Sequence, residues 1–294
     1  MMEVAVSSYS FAQAIAKGDI ANQEATVDKA HELGFRAIEF TPLTPCEDAT
    51  FEQQMESAKR IKKRTDELGM VVCSYVIGAN LYNDDEEERK AEVERVKNQV
   101  LIAKELGAKI MRHDVCGVIS PINRSFDLML PQIVQNIREV ATFAQEHGIK
   151  TCSENHGRLA QDSDRMERLF NAVNHPNYGL LVDMGNFLCV DENPVTAVSR
   201  VAPYAIHAHA KDFHILSDSQ NTEGTFLTRG GNYMYGTAIG DGDVPVKKCL
   251  RALNYVKYDG YLVIEYEGMF GDCCDNIARG KAFLEKAIAE LPTA

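Results

Sequence analysis

The stretch YAIHAHAKDFH (residues 204–214) has the pattern of a β-strand that ends in polar, chemically reactive side chains. Side chains alternate between the two faces of a strand, so His207 and His209 point the same way. A pair of histidines two residues apart is a weak signal, because satisfied histidines beside a turn give the same pattern. Whether this pair belongs to a functional site therefore depends on whether other strands end in comparable residues.

Seven further runs of apolar and β-branched residues are also predicted to be strands, and each run is followed by a stretch with helical periodicity. The eight predicted strands cover residues 4–9, 36–40, 70–76, 108–113, 149–154, 178–183, 205–210 and 261–266. Glycines stand where several of the intervening helices should end; they are Gly34, Gly69, Gly107 and Gly148. Eight strand–helix pairs favour an α/β fold, a single (β/α)8 TIM barrel, over an open doubly wound sheet.

Length and composition are typical of one such barrel. The chain has 294 residues, 45% of them apolar, and no break in composition indicates a second domain, so residues 1–294 are predicted to form one domain. A formal net charge of −12 argues against a nucleic-acid partner. We see no membrane-length apolar run and no signal-peptide pattern, which predicts a cytoplasmic protein without a membrane partner. The eight cysteines lack zinc-finger spacing and indicate reduced thiols.

One connection is unusually long. The loop 211–244 separates the seventh strand from a helix that begins near Pro245, and it is rich in Gly, Thr, Asn and aromatic residues. In a barrel this loop lies on the C-terminal face, where active sites are found, and long irregular loops are usually functional. We therefore predict a lid that moves about the glycine-rich segment 230–242. A disordered insertion is the alternative.

Four consecutive strands end in residue types that bind metals. These residues are Glu154, Asp183, His209 and Glu265. One carboxylate at a strand end is commonly a helix cap or a salt-bridge partner, but four such residues in succession on one rim indicate a shared site. Three carboxylates and one imidazole suit one divalent ion, such as Mn, Mg, Co, Zn or Fe, and do not select among these metals.

Other polar residues follow the same strand ends and are candidates for substrate binding. They are His156, Asn186, Lys211 and His113. For His113, a rim histidine without any ligand contact is an equal alternative. A metal-binding His usually donates its second N–H to an acceptor, and Asp212 or a backbone carbonyl could accept that hydrogen bond from His209.

Several segments are similar to motifs of the xylose-isomerase-like TIM-barrel superfamily. They are IEFTPL (38–43), SENHG (153–157), VDMGN (182–186), HAHAKD (207–212), GDGDVP (240–245) and YDGYLVIEYEG (258–268). That superfamily includes keto-sugar 3-epimerases, hydroxypyruvate isomerase, inosose dehydratase and, more distantly, endonuclease IV. The resemblance covers nearly the whole chain. It implies that one divalent metal is held by Glu154, Asp183, His209 and Glu265, and that His207 lies one pleat deeper in the barrel.

Two positions depart from the keto-sugar epimerase pattern. Asn186 stands where those epimerases often have a His three residues after the metal-binding Asp. They also tend to have an Arg downstream of the two histidines, whereas this chain has Lys211, Asp212 and His214 there. These differences count against a standard ketohexose epimerase, and Lys211 within HAKD is more similar to the inosose dehydratase and general sugar isomerase branch.

The sequence thus predicts a divalent-metal-dependent sugar or polyol isomerase or epimerase that works through an enediolate next to a carbonyl. Glu154 and Glu265 are the predicted acid–base pair, while Asp183 and His209 mainly hold the ion. Loss of a β-hydroxyl from the same enediolate would make a dehydratase instead, and the residues do not separate these outcomes. Two further alternatives are an endonuclease IV-like phosphodiesterase, which would need more ligands and a basic surface, and a non-catalytic sugar-binding protein. A homo-oligomer is compatible with the sequence.

Overall fold

Eight parallel strands form the centre of the molecule. The structure is a computed structural model that describes residues 2–117, 120–216 and 223–292. The barrel strands are β1 Glu3–Ser7, β2 Ala37–Phe40, β3 Val71–Ile77, β4 Ile110–His113, β5 Lys150–Glu154, β6 Tyr178–Asp183, β7 Ala205–Ala210 and β11 Tyr261–Ile264. They close in the order β1, β11, β7, β6, β5, β4, β3, β2, with β2 pairing again to β1. The predicted TIM barrel is confirmed.

Helices surround the barrel. In the described ranges they are α1 Ala12–Lys17, α2 Thr26–Glu32, α3 Phe51–Glu67, α4 Glu86–Leu106, α5 Phe126–Glu146, α6 Ser163–Val173, α7 Pro194–Val201, α8 Val246–Tyr255 and α9 Cys273–Ala289. The four glycines expected at helix ends all have positive φ, between 64° and 80°, which a residue with a Cβ rarely adopts. None of the described helices is both long and apolar enough to cross a lipid bilayer.

The main apolar core lies between the barrel and its helices, where residues such as Val96 and Ile137 are fully buried. A small separate cluster of Ala5, Ala37, Cys73 and Val263 is also buried. Polar residues on the strands are buried as well; the fully buried ones include Glu39, Asp183, His207 and His209. Burying polar groups is costly unless they are paired, so this concentration marks a site rather than ordinary core.

The long connection after β7 is more regular than predicted. It contains β8 Asp212–Leu216, β9 Phe226–Leu227 and β10 Tyr233–Thr237, which form an antiparallel sheet in the order β8, β10, β9. Residues 217–222 of the predicted loop lie outside the described residues. The rings of Phe213 and Phe226 meet edge to face at 5.5 Å, and Phe213 is fully buried. The expectation of an irregular loop is therefore wrong for the described part, because its aromatic residues pack between paired strands.

The glycine-rich segment predicted as a hinge is held by carboxylates near both ends. The N–H of Gly230 donates to Asp191, and the N–H groups of Gly240 and Gly242 both donate to Asp212. Movement of a lid about this segment would have to break such bonds, and it stays a prediction. Between these anchors, Gly236 bridges to Gly268. A Cβ at Gly236 would lie 2.6 Å from the carbonyl carbon of Glu267, so only glycine lets β10 approach the segment after β11 so closely.

Candidate active site

The four predicted metal ligands meet at the C-terminal end of the barrel. Each of Glu154, Asp183, His209 and Glu265 offers one ligand atom, and these atoms all lie within 4.8 Å of one another. Nδ1 of His209 is 3.4 Å from Oε2 of Glu265 and 3.7 Å from Oε1 of Glu154. Ligand atoms about 2.0–2.2 Å from one shared ion would be about 3–3.5 Å apart. The cluster therefore needs only a small contraction to surround a cation.

Two of the predicted ligand atoms are buried without a hydrogen-bond partner among the described residues. They are Oδ2 of Asp183 and Nδ1 of His209. The other Asp183 oxygen, Oδ1, accepts the N–H groups of Gly185 and Asn186 at 2.7 and 2.9 Å, which turns Oδ2 toward the cluster. Buried polar atoms are seldom left unpaired, so the residues present fit a divalent ion in this position.

The charges of the cluster also favour a cation. Burial raises the pKa of Asp183 to about 6, and the negative charges of Glu154 and Glu265 act in the same direction against the attraction of Lys211. Burial also tends to raise the pKa of Glu265, but the charges of Lys211 and His209 hold it well below its usual range. The pKa of His209 lies well above its ordinary value, because the surrounding carboxylates outweigh the effect of burial. Positive charge is thus strongly stabilised here.

Glu39 lies below the cluster and was not predicted as a site residue. Its Oε2 is 2.9 Å from Nε2 of His207 and 3.0 Å from Nε2 of His209, and it accepts the hydroxyl of Ser74 at 2.6 Å. Asp212 or a backbone carbonyl was predicted to accept a hydrogen bond from His209, and the structure places Glu39 in that position instead. The available signal was a charged residue inside the apolar run of the second strand, within the motif IEFTPL.

Strand β4 contributes Arg112 to the site instead of the predicted His113. Nη2 of Arg112 lies 2.5 Å from Oε2 of Glu154 and 2.8 Å from Oδ1 of Asp114. Neighbouring residues of a strand point to opposite faces, and the His113 ring stacks on Tyr178 at 6.4 Å beneath α6. His113 is fully buried, and it does not line the cavity described below.

The remaining predicted substrate-binding residues lie at the cluster and have partners in the protein. Nδ2 of Asn186 donates to Oε1 of Glu154 at 2.8 Å, so Asn186 orients a predicted metal ligand. Nδ1 of His156 lies 3.0 Å from Oδ1 of Asp114. Burial lowers the pKa of His156, but the Asp114 hydrogen bond and the Glu154 charge outweigh burial and raise it overall. Nζ of Lys211 is 2.5 Å from Oε2 of Glu265.

A cavity of about 270 Å³ opens above the cluster. This volume is just below the range of about 300–1,000 Å³ that is typical of small-molecule sites. The predicted residues that line it are Glu154, His156, Lys211 and Glu265. Residues that the sequence did not indicate line it as well; they are Tyr9, Thr41, Pro42, Val76, Ile77, Gly78, Arg112 and Glu267. Both predicted catalytic glutamates thus reach one small-molecule cavity.

Comparison with known proteins agrees with this architecture. A sequence profile of the family described as xylose isomerase-like TIM barrel matches residues 27–287. The chain belongs to this family. Among solved structures, an L-ribulose 3-epimerase superposes with a TM-score of 0.74 at 16% identity, over 98% of this chain and 95% of that one. A xylose isomerase-like TIM barrel protein from Mycobacterium smegmatis, in complex with magnesium, superposes with a TM-score of 0.69 at 17% identity, over 98% of this chain and 97% of that one. At these identities the likeness shows the fold alone.

Curated relatives of this family member are similar over part of their length. The inosose dehydratase of Clostridium beijerinckii is 24% identical over 140 residues, which is 46% of each chain. That of Lactiplantibacillus plantarum is 24% identical over 204 residues, or 68% of each chain. The chain thus matches about half of the first relative and two thirds of the second. Both relatives are named as enzymes, at an identity too low to carry over a particular reaction.

Proposed function

We propose that the protein is a divalent-metal-dependent sugar or polyol isomerase or epimerase that moves a proton at the carbon next to a carbonyl group. The observation that carries this proposal is the placement of two carboxylates. Glu154 and Glu265 both line the cavity, and each contributes one oxygen to the four-residue cluster. Asp183, His209 and one oxygen from each glutamate would hold the ion. When bound, the metal would stabilise negative charge that develops on the substrate carbonyl oxygen.

The two glutamates differ in their surroundings. Oε2 of Glu154 is paired with Arg112 at 2.5 Å, and Oε1 accepts from Asn186, so both of its oxygens already have protein partners. Glu265 is paired with Lys211 through Oε2. A general base needs an oxygen within hydrogen-bond reach of the proton that it removes. We assign removal of the proton first to Glu265. In an epimerase, Glu154 would return a proton taken from solvent on the other face, and one of its oxygens would have to leave Arg112 to carry that proton.

Lys211 and His156 complete the proposed machinery. Lys211 lines the cavity, and although its charge is balanced by Glu265 and Glu267, its ammonium can still donate a hydrogen bond to a substrate oxygen held at the metal. His156 lines the same cavity from the loop after β5, and its hydrogen bond with Asp114 favours the protonated imidazole. Fixed donors of this kind stabilise developing negative charge without having to reorganise during the reaction.

A dehydratase is the second candidate, and two observations favour it. The two curated relatives described above are named inosose dehydratases. In addition, the Lys211 ammonium beside Glu265 could donate a hydrogen bond to a departing β-hydroxyl. That route shares the first step, removal of the proton next to the carbonyl. The hydroxyl at the next carbon then leaves as water, and a carbon–carbon double bond forms.

The two candidates are distinguished by their products. Protein loaded with Mn²⁺, Co²⁺ or Mg²⁺ is incubated with free ketoses, aldoses and inososes in D₂O and followed by NMR and mass spectrometry. We expect deuterium at the carbon next to the carbonyl, with a product of unchanged composition for an isomerase or epimerase. Loss of one water indicates the dehydratase. Absence of exchange and product with every compound, at verified metal occupancy, contradicts both proposals.

A further inference from the structure

The cations that line the cavity are already neutralised by the protein itself. Arg112 is paired with Glu154 and Asp114. Nζ of Lys211 lies 2.5 Å from Glu265 and 3.0 Å from Oε1 of Glu267. Recognition of a phosphate or carboxylate normally uses charge-assisted hydrogen bonds from a cation that is available to the ligand. The charges of these two cations are therefore balanced by carboxylates, which leaves neither as an unpaired cation for an anionic ligand.

The same holds for the rest of the cavity wall. Within residues 2–117, 120–216 and 223–292, the third Lys, Arg or His that lines the cavity is His156, and it is paired with Asp114. Each of these three side chains therefore has a carboxylate partner. The segments 118–119 and 217–222 contain no Lys, Arg or His in the sequence. An additional cation from those segments is therefore excluded by composition.

Backbone N–H groups are the other common binding site for phosphate in barrels, in the loops after the seventh and eighth strands. Here the loop after β7 contains such a group of N–H donors, and the carboxylate of Asp212 occupies it. The N–H groups of Gly240 and Gly242 donate to Oδ2 at 2.8 and 3.0 Å, and that of Val244 donates to Oδ1 at 3.1 Å. After β11, the first turn of α9 is capped by Asp272. Both positions are filled by the protein's own carboxylates.

From these contacts, and resting on the proposed function, we propose that the substrate is an uncharged polyhydroxy carbonyl compound and that the cavity rejects phosphorylated and carboxylated sugars. Tyr9, Thr41 and Glu267 offer hydroxyl and carboxylate groups that suit sugar hydroxyls, and Pro42, Val76 and Ile77 offer an apolar wall for carbon–hydrogen faces. The divalent ion would be taken by the carbonyl end of the substrate, so a phosphate or carboxylate elsewhere on the sugar would lie near several buried carboxylates without an unpaired protein cation, which is unfavourable at short range.

Matched pairs of compounds test the proposal. Mg²⁺-loaded protein is given D-fructose or D-fructose 6-phosphate, and D-xylulose or D-xylulose 5-phosphate, in D₂O. We expect exchange of the hydrogen next to the carbonyl to be at least 100-fold faster with the free sugar of a pair. Equal or faster exchange with the phosphate overturns the proposal and leaves the proposed function intact. If no compound in these pairs or in the wider panel shows hydrogen exchange, the proposed function is contradicted, and the proposed substrate class with it.

A second measurement does not depend on turnover. Inorganic phosphate is titrated calorimetrically into Mg²⁺-loaded wild type, Glu267→Gln and Glu290→Gln. Glu267→Gln removes one partner of Lys211, so we expect phosphate to bind at least 10-fold more tightly than to wild type. Glu290→Gln removes the partner of Lys247, a solvent-exposed pair at 2.8 Å, and should bind like wild type. Saturable phosphate binding by wild type that is lost in Lys211→Met would overturn the proposal, as would unchanged affinity in Glu267→Gln.

Discussion

Nε2 of His209 lies 3.0 Å from Oε2 of Glu39, while Nδ1 of the same ring faces the carboxylates of the cluster. The two residues are 170 positions apart, on β7 and β2. A carboxylate that accepts Nε2–H leaves the lone pair on Nδ1, the nitrogen that would bind a metal. We therefore propose that Glu39 positions His209, the predicted metal ligand.

Glu39→Gln should weaken metal binding. The amide is a poorer acceptor for Nε2–H of His209, and loss of such an acceptor typically costs about 10–100-fold in metal affinity. Titration of Mn²⁺ followed by electron paramagnetic resonance measures the dissociation constant. Glu24→Gln is the control, because Glu24 also accepts a serine hydroxyl, from Ser57 at 2.7 Å, but lies outside the site. An unchanged constant in folded Glu39→Gln would show that Glu39 does not position the ligand.

Removal of the metal should abolish activity and lower thermal stability. An ion that binds only the folded chain at 100 times its dissociation constant adds about 2.7 kcal/mol to the free energy of unfolding, which corresponds to several degrees in Tm. Scanning calorimetry with increasing Mn²⁺ should show this rise in wild type and a smaller one in Asp183→Asn. Asp164→Asn, an exposed residue, should behave like wild type. Full activity after verified metal removal would contradict the single-metal site.

The two glutamates should be separable by isotope exchange. Glu265→Gln and Glu154→Gln keep their shape but lose basicity, and loss of a general base typically costs about 10²–10⁴ in rate. Net turnover should fall in both variants. We expect exchange of the hydrogen next to the carbonyl with D₂O to persist in Glu154→Gln and to disappear in Glu265→Gln. If both variants bind metal normally and turn over like wild type, these glutamates are not the acid–base pair.

His113 should make the protein less stable in mild acid. Burial, helped by the Arg112 charge, lowers the pKa of His113 from 6.5 to about 4. The unfolded chain therefore binds this proton below pH 6.5 and the folded chain does not, so stability falls as pH drops from 6.5 toward 4. The loss is about 2 kcal/mol at pH 5. Urea unfolding at pH 7.5 and 5 should show a smaller acid loss in His113→Gln. If wild type and His113→Gln lose the same free energy of unfolding between pH 7.5 and 5, His113 is already protonated in the folded protein at pH 5.

The antiparallel sheet should depend on Asp191 for its attachment. Asp191 accepts the hydroxyl of Thr228 at 2.7 Å, the N–H of Gly230 at 2.5 Å and the side-chain amide of Asn232 at 2.8 Å. Asp191→Ala removes all three bonds, so trypsin should cleave after Arg229 several-fold faster. Cleavage is measured by mass spectrometry, with Asp164→Ala as the control. Equal cleavage in the two variants would show that the attachment lies elsewhere.

Local patterns were sufficient for the barrel. Each strand is an apolar run and each helix has its own periodicity, so no long-range contact is needed to recognise either element. The rule that parallel strands present their carboxyl ends on one rim then brings Glu154, Asp183, His209 and Glu265 together, and the structure places their ligand atoms within 4.8 Å. Their roles as ligands and catalysts stay predictions.

The antiparallel sheet after β7 was missed for a different reason. Its strands are short, and β9 has only two residues, Phe226 and Leu227. Strands this short pair only where other parts of the chain support them. Here Gly236 packs closely against Glu267, and no local sequence pattern predicts that contact.

The sequence by itself determined the barrel and the residues that end its strands, because these depend on residue types at fixed local spacing. Only the tertiary structure decided that Glu39 reaches His209 across the barrel and that Arg112, not His113, faces the cavity. Those outcomes depend on the register in which the strands close, and a shift of one residue exchanges the two faces of a strand. Closure also paired the cavity cations with carboxylates from other strands, and that pairing sets the electrostatic character of the cavity.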